Sequence, residues 1–412
     1  MASTTDVQYT MNTETGHIAP IIDAERVRAD DEYVMHTYGR LPVTFVRGAG
    51  VHVWDSDGRQ YLDFLAGIAV NGLGHCHPRV VRAIQEQAET LIHTSNLYYT
   101  APMTRLARKL SDISDFDRTF FCNSGAEANE AALKIARKHG KKTSEGKFKV
   151  VTATQSFHGR TLGSLTATGQ PKYQSSFAPL LPGFDYVPFN DIEALTAAVS
   201  DDTCAVMLEP IQGESGVYPA HKAFLEAARE ICDAHGALLI FDEVQTGVGR
   251  TGKWWAYEHF GVIPDVMTLA KSLGSGLPIG ACLARGTAAS TLVPGDHGST
   301  FGGNPLATAT ALAVLETIED EHLLANAHAM GAYFVHRLNE EPIKSKLSDV
   351  RALGLMVGVD LKQGDAKRVQ AESLSKGLIL NGIGDNTLRF LPPLIITKEH
   401  VDQAIAVLSE VL

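Results

Sequence analysis

The sequence predicts an α/β protein in two parts: a large domain built round a mostly parallel central sheet, and a smaller α+β domain towards the C-terminal end. Three observations lead there. The chain has 412 residues, more than one hydrophobic core usually organises. From about His77, short apolar runs alternate with helical patterns, which places helices on both faces of a parallel sheet. Beyond about Asn304, strand-like and helical stretches mix without that regularity. The expected division is 1–76 as an N-terminal segment packing with the small domain, 77–305 as the large α/β domain, and 306–412 as the small α+β domain.

Taken in order, the stretch from Met1 to about Pro20 is polar and lacks the basic start and apolar run of a signal peptide. It is expected to pack loosely or to cross to a partner subunit. Val43 to Asp63 reads as short strands with a turn at Asp57-Gly58, a small antiparallel sheet. The expected strands of the large sheet are Thr119–Cys122, Phe148–Ala153, Cys204–Leu208, Ala237–Phe241 and Val266–Ala270. A helix from about Asn304 to Asp320 leads into the small domain, where Val350–Leu361 and Leu388–Ile396 read as strands. In the last helix, from Lys398, residues Val401, Ala404, Ile405, Leu408 and Leu412 fall on one face, with Thr397 as N-cap.

Composition narrows the function classes. Apolar residues make up 44% and charged residues 20%, ordinary for a soluble globular protein. The net charge of −11, with both signs interspersed, disfavours nucleic acid or an anionic membrane surface as partner. No stretch approaches the roughly 18 consecutive apolar residues of a membrane span. Five cysteines, widely spaced, read as reduced thiols and not as a disulfide frame or zinc site. A cytoplasmic protein is expected.

In open α/β sheets ligands bind beyond the carboxyl ends of the parallel strands. Those ends carry Asn123-Ser124-Gly125-Ala126, then Phe157-His158-Gly159-Arg160, then Glu209, then Asp242-Glu243-Val244-Gln245, then Lys271. Ser124-Gly125-Ala126 opens a helix whose apolar face is Ala128, Ala131, Ala132, Ile135 and Ala136, so its free N–H groups suit a phosphate. Asp242 closes an apolar strand, where a carboxylate needs a partner. Lys271, beside apolar walls and another positive centre, has its ammonium disfavoured, which makes it a candidate Schiff-base amine. A solvated lysine and a structural ion pair remain the plain alternatives.

A nucleotide-binding reading also stays open. Gly247-Val248-Gly249-Arg250-Thr251-Gly252-Lys253 fits Gly-x-Gly-x-x-Gly and most of a Walker A pattern. Context opposes it: Trp254 stands where magnesium binding needs Ser or Thr, and the run follows the Asp-Glu strand instead of preceding it.

Taken together, Asn123 to Asn129, Phe157 to Arg160, Asp242 to Gly247, Lys271, and Ser299 to Asn304 resemble the class III, or ω-amino-acid, aminotransferases of the fold-type I pyridoxal-phosphate (PLP) superfamily. The resemblance runs from about Val34 to the C-terminus. It implies that Lys271 bonds the cofactor and then moves the substrate proton, and that Asp242 pairs with the pyridine nitrogen. Ser124, Gly125 and Ala126 would hold the phosphate. Gln245 would reach the phenolic oxygen, Phe157 and Val244 would cover the ring faces, and Glu243 is grouped with these cofactor ligands. Ser299 and Thr300 would reach the partner's active site in a homodimer, Thr300 on the phosphate and Ser299 near substrate. Arg160 would take the distal carboxylate of substrate and Arg389 the α-carboxylate of 2-oxoglutarate. Glu209 would neutralise Arg389 when the amino donor is bound, and Tyr38 would assist the donor carboxylate. One departure from the family wording is Ala126, often Thr, which removes a hydroxyl but no backbone donor. The donors implied are acetylornithine first, with ornithine, succinylornithine, succinyldiaminopimelate and 4-aminobutyrate as alternatives.

Overall fold

A computed structural model describes residues 24–412; the expectation for the polar leader lies outside the described residues. At the centre is a seven-stranded sheet in the order Arg118–Cys122, Gly280–Ala284, Val266–Leu269, Leu238–Asp242, Thr203–Leu208, Lys149–Ala153, Phe184–Val187. All pairings are parallel except the two made by Gly280–Ala284. Thr203–Leu208 and Leu238–Asp242 are buried along their whole length, because helices cover both faces. The helix Gly125–Lys141 turns Ala128, Ala131, Ala132, Ile135 and Ala136 inward, all fully or nearly fully buried. Small side chains at these positions let it lie close on the sheet.

Two expected regions differ in detail. Phe184–Val187 and the antiparallel Gly280–Ala284 were not foreseen as strands; the latter, mostly small residues, carries little β-propensity of its own. Val350–Leu361 is a hairpin, Leu347–Leu353 with Met356–Leu361, turning at Gly354-Leu355. The strand expected over Leu388–Ile396 spans only Thr387–Phe390, since Pro392 and Pro393 carry no N–H for a ladder.

That hairpin, Thr387–Phe390 and Asn381–Ile383 form a four-stranded antiparallel sheet. A second small sheet joins the two ends of the chain: Phe45–Ala49, His52–Asp55 and Gln60–Asp63 are antiparallel, and Leu378–Ile379 adds parallel to Gln60–Asp63. The long helix Pro305–Asp320 starts with Asn304 accepting from Ala307 N at 2.8 Å and Pro at its first position, where the missing N–H costs nothing. The last helix spans Lys398–Val411 and buries Val401, Ala404, Ile405, Leu408 and Val411. Among the described residues no helix is long and apolar enough to cross a membrane.

Candidate active site

Five of the six parallel strands of the large sheet end over a cavity of about 440 Å³. Its lining includes Ser124, Gly125, Ala126, Phe157, Arg160, Glu209, Asp242, Val244, Gln245 and Lys271. The antiparallel strand enters the same edge at Gly280, whose missing Cβ leaves room for the Ser124 carbonyl.

One end of the cavity is a helix N-terminus. Ser124 caps the helix Gly125–Lys141 by accepting from Glu127 N at 3.2 Å, and Glu127 reaches back to Asn123 N at 2.7 Å. The N–H groups of Gly125 and Ala126 have no partner within the helix and favour an anion. A Cβ on Gly125 would stand 2.8 Å from Val244, so glycine lets that wall close in.

On the sheet floor, Asp242 is buried and tightly held. Its Oδ2 accepts from Asn129 Nδ2 at 2.7 Å and pairs with His158 Nδ1 at 2.8 Å; its Oδ1 accepts from Val244 N at 3.0 Å. Asn129 is fully used as well, donating to His158 O at 2.6 Å and accepting from Thr268 Oγ1 at 2.7 Å. A carboxylate so fixed presents its charge in one direction only.

Lys271 follows the neighbouring strand in left-handed backbone, φ 46°. Burial lowers its pKa from that of a free lysine, Glu214 opposes that shift, and Arg389 adds to it. The next residue anchors the turn: Ser272 Oγ donates to Ala69 O at 2.7 Å. Ala66, Gly67, Ile68 and Ala69 all have positive φ, a left-handed turn beside Lys271.

Arg389, 2% exposed, enters from the C-terminal sheet. Its Nη1 donates to Glu214 Oε1 at 2.8 Å, Gly213 O at 3.0 Å and Gln245 Oε1 at 3.3 Å; Nη2 donates to Asn381 Oδ1 at 2.9 Å. Burial alone would raise the Glu214 pKa, but Arg389 and Lys271 outweigh it and hold the carboxyl at about 2.

The model for class III aminotransferases matches residues 33–412. The chain belongs to the class III aminotransferases. Acetylornithine aminotransferase of Caldanaerobacter subterraneus is 53% identical over 385 residues, 93% of this chain and 98% of that protein. Among solved structures, ornithine aminotransferase from Toxoplasma gondii superposes with a TM-score of 0.90 at 36% identity, over 94% of this chain and 95% of that one. N-acetylornithine aminotransferase from Stenotrophomonas maltophilia gives a TM-score of 0.79 at 40% identity, over 93% and 98%. The Toxoplasma structure is described with PLP at partial occupancy in its active site.

Class III aminotransferases are PLP-dependent, and the residues present fit that group. An anion cup, an amine and a buried carboxylate border one cavity, as a phosphate, an aldehyde and a pyridine nitrogen require. Val244 and Phe157 offer apolar surface between them.

Several expected residues fall elsewhere in this aminotransferase. Glu209 does not pair with Arg389; Glu214 does. Glu209 accepts from Phe157 N at 3.1 Å, and burial with Asp242 beside it pushes its pKa well up, a poor counter-ion for an arginine. Glu243 does not line the cavity. Its carboxylate accepts from Ala256 N at 2.6 Å, Tyr257 N at 2.8 Å and Thr246 Oγ1 at 3.1 Å, fixing the loop behind the sheet. Ser299 Oγ accepts from Asn123 Nδ2 at 3.1 Å beside the cavity, Thr300 is exposed, and Tyr38 is 77% exposed in a separate surface hollow. Arg160 lies exposed at the rim, 3.8 Å over the Tyr173 ring.

Gly247–Lys253 is no phosphate loop. Val248, Arg250 and Thr251 are buried, and no helix begins at its end. Residues that sequence reasoning missed include Glu214 and Asn129. A lone asparagine on an alanine-rich buried face was the available signal for the second.

Proposed function

We propose that this enzyme moves the δ-amino group of N2-acetyl-L-ornithine to 2-oxoglutarate, giving N-acetyl-L-glutamate 5-semialdehyde and L-glutamate, in arginine biosynthesis. The observation that carries this reading is the pair of buried Arg389 and half-buried Glu214 next to Lys271 and Asp242. An amino donor that reacts at a methylene carbon brings no carboxylate there, so Arg389 stays neutralised by Glu214. An α-keto acid brings one, and Arg389 then exchanges Glu214 for it as a planar, bidentate partner. Relatives named acetylornithine aminotransferase support the donor.

In this reading Ser124, Gly125 and Ala126 hold the phosphate of PLP, with help from the partner's Thr300. Asp242 pairs with the ring nitrogen, Gln245 reaches the phenolic oxygen, and Phe157 and Val244 cover the ring. PLP supplies the carbonyl that takes the amino group and a ring that stores the electron pair of the broken C–H bond. Lys271 Nζ would bond the cofactor at rest and, as a free amine, would move the proton at the substrate carbon. Its lowered pKa suits a base. Arg160 at the rim binds the distal carboxylate, Ser299 lies near substrate and Glu209 backs the pocket.

The working unit in this reading is a cytoplasmic homodimer. Beside Thr300, Phe301 is 61% exposed and its ring lies 5.4 Å from that of His93; Leu97, Tyr98 and Tyr99 are 84%, 65% and 98% exposed. Large exposed apolar side chains grouped in this way mark an interface.

Kinetics with a panel of amino donors and 2-oxoglutarate tests the substrate. Acetylornithine should give the highest kcat/KM; a clear preference for ornithine, succinylornithine, succinyldiaminopimelate or 4-aminobutyrate would replace it as the donor.

A further inference from the structure

The glycine-rich run Gly247–Lys253 is not shaped as a phosphate loop, yet it holds the most deeply buried charge among the described residues. Arg250 is 0% exposed. Its Nη1 donates to Leu355 O at 3.1 Å and to Pro392 O, and its own carbonyl accepts from Leu355 N at 3.0 Å. Nε and Nη2 have no hydrogen-bond partner among the described residues. Burial pulls its pKa down to about 9, and the nearby Asp63 offsets that only in part. A buried charge with unused donors is costly, so its location is informative.

The two carbonyls that Arg250 grips bracket the strands behind Arg389. Leu355 heads Met356–Leu361, which pairs with Thr387–Phe390 through Gly358 opposite Arg389; Pro392 follows Arg389 by three residues. Arg250 itself lies five residues beyond Gln245, which contacts both Arg389 and Glu214. One short segment therefore touches the Arg389 sheet twice, at the guanidinium through Gln245 and at the strand ends through Arg250. The backbones meet directly there: a Cβ on Gly354 would run into the Thr251 backbone. Both bonds come from the two N–H groups of Nη1, so one nitrogen ties the two strand ends together.

We infer that Arg250 is a positioning residue that sets where Arg389 stands relative to Lys271 and Asp242, and so governs the dicarboxylate half-reaction selectively. This rests on the reading of Arg389 as the binder of the α-carboxylate. Arg250→Met keeps the volume and removes the charge and both bonds; Arg250→Lys keeps the charge. In Arg250→Met the half-reaction with acetylornithine should stay within about threefold of wild type, since its donor does not use Arg389. The KM for 2-oxoglutarate should rise about tenfold or more, an expected split between uniform and selective loss. Calorimetric titration with glutarate, which binds without reacting, should show the same weakening, with Arg250→Lys between the two.

Glutarate affinity and 2-oxoglutarate KM within about twofold of wild type would overturn the inference, as would equal slowing of both half-reactions. If the Met variant fails to fold, Arg250→Lys is judged by the same criteria. Arg389→Lys, measured alongside, separates the two claims. If it leaves glutarate binding intact, the reading of Arg389 is wrong. If it weakens glutarate while Arg250→Met does not, only the positioning role falls.

Discussion

Replacing Glu214 by Ala probes the charge balance proposed to govern choice between the two substrates. A free glutamate titrates at 4.5, and Glu214 is held at about 2. At about 1.4 kcal/mol per pH unit, this favours its ionised form by about 3 kcal/mol. Its side chain is 27% exposed and Lys271 supplies part of the effect, so about 1–2 kcal/mol is assigned to Arg389. Any α-carboxylate must displace that partner. Removing Glu214 should therefore raise kcat/KM for glutamate, relative to acetylornithine, by about 5- to 30-fold. Single-turnover kinetics of each half-reaction, followed by cofactor absorbance, reads the ratio. A ratio within about twofold of wild type would refute the reasoning, and so would the effect appearing in Glu209→Ala instead. The pair has a pH signature as well. A depressed carboxyl pKa contributes stability that is complete above about 4.5 and is lost as pH falls towards 2. The difference in unfolding free energy between wild type and Glu214→Gln should shrink over that window, and a pH-independent difference would contradict the ion pair.

Three other substitutions follow from the site. Lys271→Ala should abolish turnover while PLP still binds through its phosphate, and borohydride reduction of wild type should label Lys271; a label on Lys253 would count against the assignment. Asp242→Ala should lower the rate by several orders of magnitude, each tenfold being about 1.4 kcal/mol. A variant within tenfold would leave Asp242 a structural role only. Glu243→Gln should lower stability by about 1–3 kcal/mol, because an amide cannot accept all three of its hydrogen bonds. Cofactor affinity should not change; denaturant unfolding and cofactor titration on the same variant decide between the two roles.

The alternation of apolar strands and helices made the large sheet legible, because a strand buried on both faces leaves little freedom in its residues. The position of ligands at carboxyl ends then pointed to Lys271, Asp242 and the Ser124 turn without further help. The same habit misled at Glu209. It ends its strand, but the chain runs on through Ile211–Gln212 and doubles back to pair with Tyr218–Pro219, and that excursion delivers Glu214 from a Gly213–Gly216 loop. Strand ends are local properties; a loop that returns is not. The left-handed turn Ala66–Ala69 was equally hidden. Only Gly67 advertises positive φ, and each other residue adopts it at about 1–2 kcal/mol, offset by tertiary contacts such as Ser272 on Ala69.

Seen as charges, the cavity lining holds three acids, Glu209, Glu214 and Asp242, against Lys271 and, at the rim, Arg160, with Arg389 behind Glu214. Glu214 and Arg389 satisfy one another across two sheets. Asp242 Oδ2 is occupied by Asn129 and His158, while Oδ1 accepts only from Val244 N and keeps acceptor capacity for the cavity. Glu209, buried beside Asp242, has its pKa pushed well up, so it favours keeping a proton and adds less negative charge than its position suggests. That leaves Lys271, whose ammonium is disfavoured by burial and by Arg389 although Glu214 and Asp242 support it. The balance of these influences leaves the amine less readily protonated than a free lysine. An ionised Glu209 supports the Lys271 ammonium, and the upward push on the Glu209 pKa weakens that support, in the direction that favours Lys271 as a free amine.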